Sequence, residues 1–336
     1  MVIDKKFYMN LALREAWKYQ GLTYQNPAVG CTIVGKHGEI LAVEAHKKAG
    51  EPHAEVEALK MAYYKLTSDE EILKLTASAE IHTYLSKNHN NCFVGTSVFT
   101  TLEPCSHIGK TPSCADLLCK LKIKKLFVGS QDLNEEASGG NEIVKESNIE
   151  VEDSLLKEEC DALLKPFNTW KKERFVFFKW AQRLNGTVDS GVISSQKSRT
   201  LVHAMRDVCD LLVIGGNSVR VDRPTLDARL VNGRAPDILI LSRSSEFDKT
   251  IGLFHVKNRK VIISDNFDIL KEYKNIIIEG GGNMFELSKD IADYYLCFLS
   301  PQMSGDISFM GMDEKFEILN ILQDEQDIIM WMKRDK

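Results

Sequence analysis

The chain has 336 residues, 43% of them apolar and 27% charged, a composition that supports a globular fold with ample core and no need of disulfide staples. Its net charge of −5 argues against general affinity for nucleic acid or anionic membrane, while leaving room for a local basic pocket that takes one phosphate. No apolar run reaches the roughly 18–20 residues of a membrane span, and the eight scattered cysteines form no disulfide-rich pattern, so a reducing cytoplasm is the expected compartment.

At roughly 100–200 residues per domain, the length predicts two domains. A first helix is expected from Asp4 to Tyr19, with apolar residues at helical spacing and charges throughout; it reads as a folded helix rather than a secretion signal and stops near Gly21. PAVGCTIV (27–34) and GEILAVEA (38–45) flank a glycine-containing turn and predict a hairpin. A helix follows in GEPHAEVEALKMA (50–62), then a strand in TSVFTTLEP, a helix in CADLLCKLKI and a strand in KKLFVGS. The order α-β-β-α-β-α-β predicts an α/β layer domain over residues 1–146. Residues 147–172 read as a short strand and a connecting helix. A second α/β domain, 173–336, is expected from strand-like runs at FVFFKWA, LLVIGG, DILILS, KVIIS, NIIIEGG and YYLCFLS.

On its own residues, the stretch 50–62 reads as an amphipathic helix started by Pro52, with Val56, Leu59 and Met61 packing inward. Residues 101–119, TLEPCSHIGKTPSCADLLC, add a second meaning. His53, Cys105 and Cys114 supply one imidazole and two thiolates, which leaves a fourth tetrahedral position for water, as in a catalytic zinc site. Each proposed ligand lies near a helix start, where thiolate is favoured. Glu55 can then move protons between water and leaving ammonia during hydrolysis of an amidine-like carbon. H-x-E followed by P-C-x-x-C is the zinc nucleobase deaminase signature; here eight residues separate Cys105 from Cys114. Cys119 is a rival ligand but sits mid-helix, and His107 between the ligands reads as a solvent or substrate contact.

NPAVGCTIV (26–34), HKKAGEPHAEVEAL (46–59) and TLEPCSHIGKTPSCADLL (101–118) resemble the deaminase half of the bifunctional riboflavin-biosynthesis deaminase/reductases. That family has a long P-C-loop-C motif, and Gly109, Thr111 and Pro112 match the G-x-T-P inside its loop. The resemblance implies zinc on His53, Cys105 and Cys114, a proton-shuttling Glu55, and a pyrimidine contact from Asn26. In the second half, FFKWAQRLNG, VHAMRDVCDLLVIGGNSVRVDRPTLDAR (202–229) and IIIEGGGNMFEL (276–287) resemble the reductase. Lys179, Ala181 and Gly186 match its opening, whereas Arg183, Asn185 and Val192 stand where the family has serine, aspartate and tryptophan.

The resemblance implies a cytidine-deaminase-like α/β/α domain followed by a dihydrofolate-reductase-like α/β domain that binds NADPH. It places Ala181, Val192, Ser218 and Asp222 at nicotinamide or ribose contacts, and Gly281, Gly282, Asn283, Met284, Phe285, Glu286 and Leu287 along the cofactor. Physically, a glycine-rich strand-to-helix turn lets backbone N–H groups approach phosphate, although the pattern is not the Rossmann G-x-G-x-x-G. Arg206 and Arg229 are candidates for the substrate phosphate through bidentate guanidinium contacts. Glu279 suits a substrate hydroxyl or a helix cap, and Ser190 and Leu226 fall at further substrate positions of the family. The expected partner is a phosphorylated pyrimidine, with no nucleic acid and no membrane; a homo-oligomer is compatible with the sequence. The rival expectations are a nucleic-acid adenosine deaminase with an unrelated tail, and a deaminase whose second half has become a binding or scaffold module.

Overall fold

The computed structural model describes residues 3–106, 112–134, 138–189, 191–309 and 313–335. The chain divides into two units, Met1–Asn168 and Thr169–Lys336, each built on its own sheet. In the first unit, helix α1 (Lys5–Trp17) starts where the Asp4 carboxylate accepts a hydrogen bond from the Phe7 N–H at 3.0 Å, an N-cap. Its buried residues Met9, Ala12, Leu13, Ala16 and Trp17 recur at the spacing of one helix face. Strands β1 (Gly30–Val34) and β2 (Ile40–Ala45) form the expected antiparallel hairpin. Helix α2 (Ala54–Thr67) follows Pro52, with His53 at its N-cap.

The next stretch departs from the sequence reading, which placed no element between α2 and the following strand. A 3-10 turn at Glu70–Lys74 leads into α3 (Ser78–Asn88). This helix has no side-chain N-cap bond and buries only Ser78, Ile81, His82 and Leu85, so it lacks both a start signal and a wide apolar stripe. Strand β3 (Ser97–Leu102), helix α4 (Cys114–Leu121) and strand β4 (Lys125–Ser130) then appear as expected, followed by an unforeseen short helix α5 (Gly140–Glu146). The strand foreseen in the connecting segment, β5 (Glu150–Glu152), pairs parallel with β4 and is the edge of the first sheet. The sheet order is β2-β1-β3-β4-β5. Helix α6 (Lys157–Lys172) runs across the division between the units. Its Leu164 packs in the first core, while Trp170 meets Phe175 edge-on at 6.4 Å.

The second sheet has the order β12-β13-β11-β6-β10-β7-β8-β9. Its parallel part comprises β6 (Phe175–Arg183), β7 (Leu211–Gly215), β8 (Asp237–Leu241), β9 (Val261–Ser264), β10 (Asn275–Glu279) and β11 (Tyr294–Ser300). All six were legible as apolar runs, the mark of strands covered on both faces. Helices α7 (Gln196–Val208), α8 (Gly216–Asp222) and α9 (Gly282–Ser288) intervene. The antiparallel strands β12 (Phe316–Asp324) and β13 (Asp327–Arg334) complete the sheet against β11 and were not foreseen. Because β10 lies between β6 and β7, the carboxyl ends of β10 and β7, at Glu279 and Gly215, adjoin, with Lys179 of β6 opposite Glu279. Such an end of an α/β sheet is where ligands bind. Among the described residues, no helix is long and apolar enough to cross a membrane.

Candidate active sites

The end of β3 delivers Glu103, Pro104 and Cys105, and two features hold this turn. The buried Glu103 carboxylate accepts hydrogen bonds from the backbone N–H groups of Asp132 (3.1 Å), Gly139 (3.0 Å) and Asn141 (3.0 Å). Gly140 lies against the turn so closely that a Cβ there would come within 1.8 Å of the Pro104 carbonyl oxygen. The start of α4 is tied to the same turn. Ser113 caps the helix by accepting from the Asp116 N–H (3.1 Å), and its hydroxyl donates to the Cys105 carbonyl (3.1 Å). Cys114 thereby opens α4 beside Cys105, with its N–H donating to the Cys105 sulfur at 3.4 Å.

His53, at the N-cap of α2, completes the cluster. Its Nδ1 lies 3.7 Å from the Cys105 Sγ and 3.5 Å from the Cys114 Sγ. Tetrahedral zinc with Zn–S of about 2.3 Å and Zn–N of about 2.0–2.1 Å requires N···S separations of about 3.5–3.6 Å. The three side chains therefore fit a zinc ion as they stand, all donor atoms lying within 4.8 Å of one another. A hydrogen bond from the Cys114 thiol, together with His53, holds the Cys105 thiol well below the usual thiol range, which favours thiolate at that sulfur. Cys119 points elsewhere, its thiol donating to the Ile143 carbonyl at 3.7 Å. His107, Gly109 and Thr111 lie outside the described residues.

Glu55 sits in the first turn of α2 and is 4% exposed. Burial pushes its carboxyl up to about 7, against the opposing influence of His53; a cation at the cluster acts in the same lowering direction as His53. Beside them is a residue that the sequence reading did not single out. The Nδ1–H of buried His46 donates to the Pro52 carbonyl (3.0 Å), and its Nε2 lies 3.1 Å from Asn26 Nδ2. The His46 and His53 rings meet edge-on at 5.7 Å. Asn26 is thus linked through His46 to the segment that carries His53. His46 opens the motif HKKAGEPHAEVEAL, but nothing in the sequence assigns it a role, because its partners become neighbours only in the fold.

In the second unit, the structure joins residues that the sequence had assigned separate roles. Arg206 grips Glu279 through two hydrogen bonds of 2.9 Å, from Nε and an Nη, and reaches the Asp227 carbonyl with the other Nη at 3.4 Å. Its guanidinium is therefore engaged internally rather than open to a phosphate, because a buried cation needs a partner charge. Lys179 Nζ lies 3.7 Å from the same carboxylate and 5.5 Å from the Phe298 ring centroid. Burial raises the Glu279 carboxyl, but Arg206 and Lys179 outweigh it and hold the group down at about 2. Arg229 is exposed and paired with Asp227 at 2.9 Å.

The side chains of the expected cofactor and substrate residues differ in their exposure. Met284 and Phe285 point into the core, where Phe285 is 0% exposed, so only their backbone is available to a ligand. Leu226 is likewise buried in an apolar cluster, and its carbonyl accepts from Arg259. Glu286 pairs with Lys289, and Val192, Asp222, Asn283 and Leu287 are exposed. Ala181 and Ser218 are half-buried on β6 and α8, while Ser190 lies outside the described residues. Arg183, which departs from the family pattern, is a buried brace: its Nη1 donates to the Asp189 carbonyl at 2.6 Å. Asn185 donates to the Ser304 carbonyl at 3.2 Å.

The glycine turn after β10 fits a dinucleotide phosphate. At Gly281 a Cβ would meet nothing within 4 Å, so open space lies over this backbone, whereas at Gly280 it would meet the Met284 side chain at 2.5 Å. The two glycines thus have different causes: one makes room for Met284, the other faces a gap a ligand can fill.

Residues 2–130 match the model of the cytidine and deoxycytidylate deaminase zinc-binding region, and residues 174–330 match that of the RibD C-terminal domain. The riboflavin biosynthesis protein RibD of Aquifex aeolicus is 29% identical over 99% of both chains. Its counterpart in Bacillus amyloliquefaciens is 32% identical over 67% of this chain and 56% of that one. The crystal structure of a Thermotoga maritima diaminohydroxyphosphoribosylaminopyrimidine deaminase/5-amino-6-(5-phosphoribosylamino)uracil reductase superposes with a TM-score of 0.64 at 28% identity, covering 98% of each chain. The fold class is accordingly a cytidine-deaminase-like domain followed by an α/β RibD C-terminal domain. With a zinc-type ligand cluster in its first unit and a reductase sheet in its second, the chain belongs to the bifunctional deaminase/reductase family of riboflavin biosynthesis.

Proposed function

We propose that the first unit deaminates 2,5-diamino-6-ribosylamino-4-pyrimidinone 5′-phosphate and that the second reduces the ribosyl chain of the product to ribityl. The observation that carries this reading is the His53–Cys105–Cys114 cluster with Glu55 in the adjoining helical turn. Zinc held by such a set supplies Lewis acidity and lowers the pKa of water at its open position. Glu55 takes the two protons of the attacking water in turn and returns one to the ring nitrogen and one to the amino group, so that the water oxygen stays on the carbon as the carbonyl and the amino group departs as ammonia. Asn26 holds the pyrimidine edge.

In the second unit, NADPH supplies hydride to the sugar C1. The backbone of Gly281 and Gly282 would hold its phosphates, and Ala181, Ser218 and Asp222 would contact its nicotinamide and ribose. Lys179 of β6 and Glu279 at the carboxyl end of β10 meet the substrate, and the exposed Arg229 is a cation available to its phosphate. A cytoplasmic location is supported by eight cysteines that are all free thiols. The net charge of −5 and the reductase half count against a nucleic-acid deaminase. The test is incubation of purified protein with the diaminopyrimidine phosphate, with and without NADPH, followed by product masses. The expected result is the deaminated product alone without NADPH and the ribityl product with it. Deamination with no NADPH oxidation, even when deaminated substrate is supplied, refutes the second reaction.

A further inference from the structure

We propose that His46 is a positioning residue of the deaminase, setting the direction in which Asn26 presents its amide to the pyrimidine. The inference rests on the proposed role of Asn26 and starts from hydrogen-bond chemistry. The Pro52 carbonyl can only accept, so the proton between it and His46 resides on Nδ1. The neutral ring then offers a bare Nε2, which can only accept. Asn26 Nδ2, 3.1 Å away, is the donor to it. With one Nδ2 hydrogen committed to His46, the direction of the amide is fixed: Asn26 Oδ1 is left as an acceptor to which, among the described residues, no protein group donates, and the second Nδ2 hydrogen remains a donor. Asn26 is therefore set to receive an N–H from the substrate at Oδ1 in a fixed direction.

The placement makes this more than a local contact. His46 follows β2 directly and is 3% exposed. Its backbone N–H donates to the Val29 carbonyl at 2.9 Å, three residues after Asn26. Its ring bonds the carbonyl of the residue preceding the ligand His53 and meets the His53 ring at 5.7 Å. One imidazole thus references the pyrimidine contact to the segment that carries both His53 and Glu55. Holding the substrate to within a fraction of an ångström of the attacking water matters because misplacement by about 1 Å can cost 10²-fold in rate.

The test is a double-mutant cycle on deaminase kcat and KM with Asn26→Ala, His46→Ala and the pair, using the full chain. Zinc content and reductase activity are measured on every variant. Each single change is expected to lower kcat/KM by roughly 10- to 100-fold, with zinc retained and reductase unchanged, and the double variant is expected to be no worse than the poorer single. His46→Gln, whose amide oxygen can accept from Asn26, is expected to recover part of the loss, but to recover nothing when Asn26 is alanine. It also serves if His46→Ala does not fold. Losses that multiply in the double variant overturn the proposal, because His46 then acts independently of Asn26. Loss of zinc from His46→Ala or His46→Gln overturns it in favour of a role in holding His53. Full activity in Asn26→Ala refutes the reading of Asn26 itself, and the proposal falls with it.

Discussion

Replacing Gly281 by valine separates cofactor contact from protein packing. Gly281 has φ −94° and ψ −163°, a backbone any residue adopts, and a Cβ there meets nothing within 4 Å. The change removes unfolded-state freedom, worth about 0.4–1 kcal/mol for glycine replacement. It also weakens an N-cap position by an amount on the order of 1 kcal/mol. The two oppose, so the melting temperature should hardly move. A cofactor phosphate lying on this backbone, by contrast, loses its close approach and a charge-assisted hydrogen bond worth about 1.5–3 kcal/mol, which weakens NADPH binding by roughly 10- to 100-fold. Gly280→Ala is the internal control. Its Cβ would meet Met284 Cβ at 2.5 Å and Cγ at 2.8 Å, an overpacking that costs about 1–3 kcal/mol of stability. NADPH titration by fluorescence, thermal melts and a deaminase assay on each variant make the comparison. Wild-type NADPH affinity in Gly281→Val would show that the phosphates bind elsewhere. A melt as damaged as that of Gly280→Ala would show that the space over Gly281 is not open.

Cys114→Ser should release the metal, whereas Cys119→Ser, whose thiol is turned toward Ile143, should retain one zinc per chain by elemental analysis. Glu55→Gln should keep zinc and reductase activity but lose deamination by ~10²–10⁴-fold, the range of general acid–base contributions; a rate within a few-fold of the parent would assign the proton transfer to another group. The Glu279 carboxyl is held at about 2, below its unfolded value of about 4.3. It therefore contributes stability that is fully present above that unfolded value and is lost as pH falls toward 2. Urea midpoints of the parent should drop through this window more steeply than those of Glu279→Gln. Glu279→Ala should destabilise the chain at neutral pH by about 3–5 kcal/mol, because Arg206 is left buried without its partner.

Those parts of the fold whose signal lies in consecutive residues were legible. Residues 175–178 and 276–278 are unbroken apolar runs because they lie in central parallel strands. The zinc cluster was legible for a similar reason, since H-x-E and P-C-loop-C each sit on one turn or one helix start. The hairpin Phe316–Arg334 was missed because Ile318 and Ile321 are 53% and 54% exposed, which blurs the inside–outside alternation expected of a half-buried strand. Arg206 and Glu279 are 73 positions apart, and only the fold shows that each neutralises the other. Met284 and Phe285 were assigned to the cofactor as members of a contiguous run. Helical periodicity sends these two inward while Asn283 and Glu286 face out.

The course of α6 bears on how the two activities can be separated by cutting the chain. Its early residues belong to the deaminase interior: Cys160 lies against Gly129, the Leu163 carbonyl accepts from Gln20 at 2.6 Å, and Leu164 is part of the core. Its last turn, through Trp170, packs on Phe175 at the start of the reductase sheet. A deaminase fragment ending at residue 146 therefore forfeits the edge strand β5 and an inner wall of its own core, and is expected to be insoluble. A fragment extended to residue 168 keeps both. A natural gene split between the two enzymes faces the same constraint, so stand-alone deaminases of this architecture should carry their own copy of that closing helix.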